Sequence, residues 1–305
     1  MVGRERELRS GRTGGGLALA GGVVCVCLAG AGCSGTGQGA SVEGAGGGDP
    51  VAVLHRAADR LVAAGSAKAR TAMQMASGGT RVTIRGEGVY DFEERLGQLK
   101  VRLPQDPAGT SEHRPITELL APGALFMKNR GAGVPDDKWV RVETDSLSDG
   151  NLVTGGATDP FAAAEVLRGT RTATFVGRTE VAGTAVRHYR GTADLARAAR
   201  GASEGNRKAL AAAAEGFATA EVPFDAYLDD EGRIRKVRHR FSFSNGQEDA
   251  GTVDVASTTL LYDFGAAVRV RLPEDEDIYA GKIAAEPGDT GDSGDTGDTA
   301  VDGKN

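Results

Sequence analysis

Between residues 50 and 273 the apolar positions of this 305-residue chain follow two periods. Residues 50–65 set Val51, Leu54, Ala58, Leu61 and Val62 at helical spacing, with Pro50 opening the run and Gly65 closing it. That arrangement predicts an amphipathic helix. Thereafter the period drops to two. Val82-Thr-Ile-Arg85, Leu99-Lys-Val-Arg-Leu103, Trp139-Val-Arg-Val-Glu143 and Ile234-Arg-Lys-Val-Arg-His-Arg-Phe-Ser-Phe243 alternate apolar and polar residues. This is the mark of strands with one dry face. Strands are expected at 69–76, 80–90, 97–103, 124–128, 138–142, 170–181, 184–194, 222–228, 234–243, 251–262 and 269–272. Turn residues separate them: Gly78-Gly79, Glu94-Arg95 before Gly97, Val181-Ala-Gly183, Asp229-Asp-Glu-Gly232 and Asn245-Gly246. Asp159-Pro160 opens a second helix over 159–167, the Ala-rich stretch 197–216 reads as helical, and short apolar helices are expected at 116–121. The fold class is therefore α+β: one long meandering antiparallel sheet, curled as a half-barrel, with a few helices on its concave face. Few helices must cover a long sheet, and such a sheet can curl around them to leave an apolar cavity.

The ends of the chain are of another kind. Arg4, Arg6, Arg9 and Arg12 precede the apolar, glycine-broken run 16–33, and small polar residues follow Cys33. Charged start, apolar middle and small-residue cleavage site are the order of a secretory signal peptide. A cysteine at the cut, behind Ala31 and Gly32, resembles the lipobox of bacterial lipoproteins. In those proteins the thiol receives a diacylglycerol and the cysteine becomes the new N-terminus. Leucine is usual three places before that cysteine; here Gly30 stands there, with Leu28 two residues earlier. Cys25 and Cys27 follow valines, where a signal peptidase takes small residues. The other readings of this segment are simple secretion and an uncut anchor, although its apolar positions fall short of the roughly 20 a spanning helix needs.

The expected organisation is a signal peptide at 1–32, a flexible Gly/Ser-rich tether at 33–49, a folded domain at 50–273 and an acidic Gly/Asp-rich disordered tail at 274–305. Processing at Cys33 would leave no further cysteine, which excludes a disulfide, a cysteine nucleophile and a zinc-thiolate site in the folded body.

The net charge of −6 misleads about the body. From Pro273 onward ten acidic residues face only Lys282 and Lys304, and the leader is basic, so the stretch between them is close to neutral. Nothing in it suggests a nucleic-acid surface. The Gly-Asp-Thr/Ser repeats of 288–299 lack both the alternating apolar residue of calcium-binding β-rolls and the closing glutamate of an EF-hand loop.

Phrases in the body are more specific than its periodicity. They include Gly86-Glu-Gly-Val-Tyr-Asp-Phe92, Ala121-Pro-Gly-Ala-Leu-Phe-Met-Lys128 with Lys138-Trp-Val-Arg-Val142, and Val176-Gly-Arg-Thr-Glu-Val-Ala-Gly183 with His188-Tyr-Arg-Gly-Thr-Ala-Asp194. Val222-Pro-Phe-Asp-Ala-Tyr-Leu-Asp-Asp-Glu-Gly-Arg233 and Tyr262-Asp-Phe-Gly265 with Val268 continue the series. In this order, over about 50–273, they resemble actinobacterial cell-envelope lipoproteins of the LppX/LprAFG type, related in fold to the lipoprotein carriers LolA and LolB. The resemblance implies a half-open β-barrel closed by helices around a cavity for acyl chains. It further implies a monomer held at the cell membrane, on its extracytoplasmic side, by the lipid on Cys33 (diacylglycerol and palmitate), with a lipid or lipoglycan as ligand. The chain departs from the lipid-binding members in its few aromatic residues: one Trp, five Tyr and nine Phe.

Trp139 occupies the place where the family also has a tryptophan, and either lines a cavity or anchors the sheet to a helix. Leu119, Leu125 and Phe126 carry the same two readings. Other motifs carry no chemistry. Asp263-Phe-Gly265 lacks every companion motif of a kinase and reads as a strand-end turn. His55, His113, His188 and His239 are too far apart in sequence for a metal motif, and the two in alternating strands are expected to face solvent. No Gly-x-Ser-x-Gly elbow occurs, and Asp229-Asp230-Glu231 reads as a turn. No enzyme, cofactor or metal is expected. Two function classes remain: a membrane-anchored carrier or binder of lipids, and a surface-anchored structural or protein-interaction module without a ligand cavity.

Overall fold

Asp49 opens the folded body. Its carboxylate accepts hydrogen bonds from the backbone N–H groups of Val51 and Ala52 (3.1 and 3.3 Å), and Pro50 takes the first helical position. The computed structural model describes residues 48–77, 80–104, 114–131, 133–154, 157–244 and 252–281. The expected helix of 50–65 is interrupted at Arg56, giving α1 (Pro50–His55) and α2 (Ala57–Ala63), and Gly65 follows at φ +77°, a left-handed conformation open to glycine. Leu54, Ala57, Ala58 and Leu61 are fully buried.

Eleven strands follow among the described residues: β1 (Ser66–Ser77), β2 (Thr80–Asp91), β3 (Leu96–Arg102), β4 (Ile116–Ala121), β5 (Ala124–Lys128), β6 (Val140–Glu143), β7 (Thr170–Val181), β8 (Thr184–Asp194), β9 (Glu221–Leu228), β10 (Ile234–Ser244) and β11 (Thr252–Tyr262). They form one sheet in the order β6-β5-β4-β3-β2-β1-β11-β10-β9-β8-β7, every neighbouring pair antiparallel. Two meanders are thus joined where the first strand pairs with the last. The edges, β6 and β7, stay open, so this is a curled sheet and not a closed barrel. Its helices are α3 (Pro160–Val166), entered through Asp159, and α4 (Leu195–Gly201) and α5 (Glu204–Gly216), which replace the single helical stretch expected at 197–216.

Period-two alternation fixes which side chains face inward. On β1, Ala67, Ala69, Thr71 and Met73 are buried, while Lys68, Arg70 and Gln74 are exposed. The inner side packs on the helices in one continuous core. Tyr90, Phe92 and Phe161 pack in turn as tilted rings (centroids 5.1 and 6.2 Å apart), and Phe217 stacks on Phe241 at 4.9 Å. Among the described residues, no helix is long and apolar enough to cross a membrane.

Three expectations fail for physical reasons. Residues 116–121 form strand β4 and not a helix. Their apolar run is continuous because both faces are covered: Ile116 and Leu120 point into the main core, and Leu119 into a second cluster on the outer face. Residues 269–272 are not a strand. Val270 packs on that second cluster, but the segment meets β6 only further on, where Trp139 N–H donates to Asp277 C=O (2.9 Å) and Tyr279 N–H to Trp139 C=O (2.8 Å). Finally, His188 and His239 do not face solvent. His239 shares the inner parity of Val237 and Phe241 and is 1% exposed, and His188 Nε2 lies 2.8 Å from the Asp225 carboxylate.

Candidate functional site

The candidate site is the concave face of the sheet, beneath the helices. Its walls are apolar, but its floor is not. In one cross-strand row, Gly86, Thr71, Thr259 and Val237 stand side by side on β2, β1, β11 and β10; in the next, Met73, Ser257 and His239 do so. Thr71, Thr259, Ser257 and His239 are all at least nine-tenths buried. Ser257 Oγ is 2.5 Å from Thr158 Oγ1, which in turn donates to Leu152 C=O (2.9 Å). The loop carrying Thr158 thereby sits over the floor, and Ala157 lies above Gly86, where a side chain would displace it.

By contrast, Thr71 Oγ1, Thr259 Oγ1 and His239 Nε2 have no hydrogen-bond partner among the described residues. A second such spot lies on β4. Both carboxyl oxygens of Glu118 are buried and unpartnered, with Leu99 and Met127 as cross-strand neighbours. Thr71 on β1 is three strands from β4, so the two spots are roughly 14 Å apart across the sheet by strand spacing.

Electrostatics keep both spots neutral. Burial lifts the Glu118 carboxyl to about 8, with Arg130 pulling the other way, and burial lowers the His239 imidazole to about 3. Near neutral pH the floor therefore offers a protonated carboxyl, two hydroxyls and an uncharged imidazole. These groups suit esters and hydroxyls and not anions or metal ions. Among the described residues no cluster of His, Cys, Asp or Glu is placed to hold a metal.

The cover over this face is shallow. Ala209, Leu210 and Ala213 are the buried side chains of α5, and Leu195, Ala198 and Ala199 those of α4. Glu165 on α3 holds the start of α5 through Ser203 N–H (2.8 Å), Ser203 Oγ (2.9 Å) and Asn206 Nδ2 (2.8 Å). At the other side, Gly150 at φ +58° faces the Ala209 carbonyl, a position with no room for a Cβ. Here the space between sheet and cover, lined by Leu120, Ala124, Asn151 and Ala209, is only about 10 Å³.

The residues picked out from the sequence divide between the two faces. Leu125 pairs with Leu120 in register and lies in the main core. Leu119 and Phe126, also register partners, belong to the outer cluster with Trp139, Val270 and Ile278. Trp139 is half-buried there, with Lys128 Nζ 5.5 Å from its ring centre. Cys33 lies outside the described residues, as do tether residues 34–47, the acidic tail beyond Gly281 and His113. Sequence reading missed the floor residues Thr71, Thr259, His239 and Glu118. Their one signal was strand parity, which places each in line with an apolar run.

No protein-family model and no curated protein matches the chain. Among solved structures it is similar to the Mycobacterium tuberculosis lipoprotein LppX, at 10% identity over 73% of this chain and 100% of that one, with a TM-score of 0.43. It is also similar to LprF from Mycobacterium bovis (15% identity, 73% and 96% covered, TM-score 0.36). A LolA superfamily protein from Nitrosomonas europaea matches at 10% identity over 70% and 94%, with a TM-score of 0.32. The likeness is to LppX/LprF-type, LolA-like proteins.

Proposed function

We propose that this chain is an extracytoplasmic lipoprotein, lipidated at Cys33, that binds an uncharged or weakly polar amphiphile on the concave face of its sheet. One observation carries the reading: Thr71, Thr259, His239 and Glu118 keep polar atoms unpartnered inside an otherwise apolar core. Each such group costs about 1–3 kcal/mol, a cost a purely structural core avoids by pairing. A diacylglycerol- or glycolipid-like ligand answers both chemistries, with acyl chains against leucine and alanine and ester or sugar oxygens at the polar floor. The alanine-rich cover supports the reading too, since small side chains bury little apolar area and part at low cost. A lipid on Cys33 with two acyl chains would be sufficient for stable membrane attachment, leaving the body to act on its ligand.

The reading of a packed, cavity-free module has its own support in the 10 Å³ space beneath α5. Native mass spectrometry and solvent extraction of the full chain from its own host separate the two. Co-purified lipid, reduced in a Thr71→Val/Thr259→Val variant, supports binding; a lipid-free protein whose melting temperature ignores added diacylglycerol supports the packed module. Replacing Cys33 by Ser should release the chain from membranes, and retention would refute the lipid anchor.

A further inference from the structure

The outer face of the sheet carries a different pattern, independent of the lipid reading. Arg102, Arg85, Ala72, Thr258 and Arg238 stand side by side on β3, β2, β1, β11 and β10. In the next row, Lys128, Lys100, Arg70 and Lys236 flank Glu87. Glu87 is held by Arg70 at 2.9 Å, and Asp225, which follows Arg238 in the first row, is already engaged by His188, Arg190 and Arg240. Arg85 and Arg102 are exposed, directly opposite each other, and in no ion pair among the described residues. Like charges in that position oppose strand pairing. The small side chains of Ala72 and Thr258 leave a groove of about 610 Å³ walled by Arg70, Arg85, Lys100 and Arg102. A nearly neutral body has thus gathered an excess of positive charge on one surface.

The chain itself supplies the opposite charge. Residues 266–281 cross this same face, with Val270 and Ile278 on the outer cluster and Arg269 and Arg271 beside Lys128. Beyond Gly281 the sequence carries Glu286, Asp289, Asp292, Asp295, Asp298 and Asp302 against Lys282 and Lys304. Most of these acids recur every third residue, a step of about 10 Å in extended chain. Alternate strands of a sheet are also about 10 Å apart, so successive carboxylates match the step between Lys128, Lys100 and Arg70 on β5, β3 and β1, with Arg85 and Arg102 in the adjoining row.

We propose that the outer face is a docking surface for the acidic segment 286–302 of the same chain, seated over Arg85, Arg102 and Lys100. The test uses the full chain in nonionic detergent beside a variant with the six acids replaced by Gln or Asn. A fluorescent peptide of residues 284–303 should bind the neutralised variant, and at least about fivefold more weakly the native chain, whose own tail occupies the groove. Binding should fall about tenfold as salt rises from low to physiological strength, and about fivefold in Arg85→Gln/Arg102→Gln. The pair Lys100→Gln/Lys128→Gln serves as a second variant should that one lose its native melting transition. Equal peptide binding to native and neutralised chains, or none to either, overturns the proposal. So does an absence of peptide binding combined with equal co-sedimentation of both chains on phosphatidylglycerol vesicles, which would assign the face to membrane headgroups.

Discussion

Replacing Glu118 by glutamine removes one ionisation from the core while keeping the side chain's volume. The carboxyl has an ordinary value of 4.5 and is lifted to about 8 by burial between Leu99 and Met127. The folded protein therefore holds a proton that the unfolded chain has released between these two values. Stability in this window falls as pH rises, the reverse of the usual carboxylate case. Each pH unit is worth about 1.4 kcal/mol, so the full window amounts to roughly 5 kcal/mol as an upper bound. Below about pH 4.5 the native chain and Glu118→Gln should differ by less than about 1 kcal/mol, since both side chains are neutral amides or acids of like shape. By pH 8 the variant should be the more stable by several kcal/mol. Urea unfolding followed by fluorescence of Trp139, the only tryptophan, measures both proteins at each pH. Their difference cancels the titration of His239, Asp159 and every other group. A difference that stays within about 0.5 kcal/mol across the window would refute the burial of an unpaired carboxyl at this position.

Three further outcomes are expected. His239 is lowered to about 3, so it contributes stability present above pH 6.5 and lost as pH falls toward 3; His239→Phe should flatten that acid limb in acid unfolding monitored by circular dichroism, and an unchanged limb would count against it. Asp225→Asn removes the common acceptor of His188, Arg190 and Arg240 and should cost about 2 kcal/mol in chemical denaturation, discounted because both arginines remain solvent-accessible; a loss under about 0.5 kcal/mol would show the cluster to be idle. Gly150→Ala places a Cβ against the Ala209 carbonyl at a left-handed φ and should cost roughly 2–3 kcal/mol, with faster hydrogen exchange in α5 than in the sheet; uniform exchange across the fold would contradict a local link to the cover.

Most of the architecture was legible because it depends on local rules. Strands β7 and β8 fall where alternation and the Ala182-Gly183 turn place them, Asp159-Pro160 caps α3, and Asp263 and Gly232 sit in turns with positive φ at Asp263 and Gly232 itself. Errors arose where a second layer overrode the local pattern. The run 116–121 loses its alternation because the segment 266–281 dries its outer face, and that coverage depends on residues some 150 positions away in sequence. His239 looked wet because its neighbours are arginines, yet those neighbours point the other way by strand parity.

The sequence by itself determined most of the element types, the α+β class and a near-neutral body with an acidic tail, because spacing and composition are local quantities. Only the tertiary structure decided that β1 pairs with β11, since either meander alone is compatible with the same hairpins. That one pairing lines up Thr71 with Thr259 on the concave side and Ala72 with Thr258 on the outer side. It thereby builds the polar floor under the helices and, on the opposite surface, the small-residue bed between Arg85 and Arg238. Pairing register couples residues almost two hundred positions apart, and no period read along the chain contains that information.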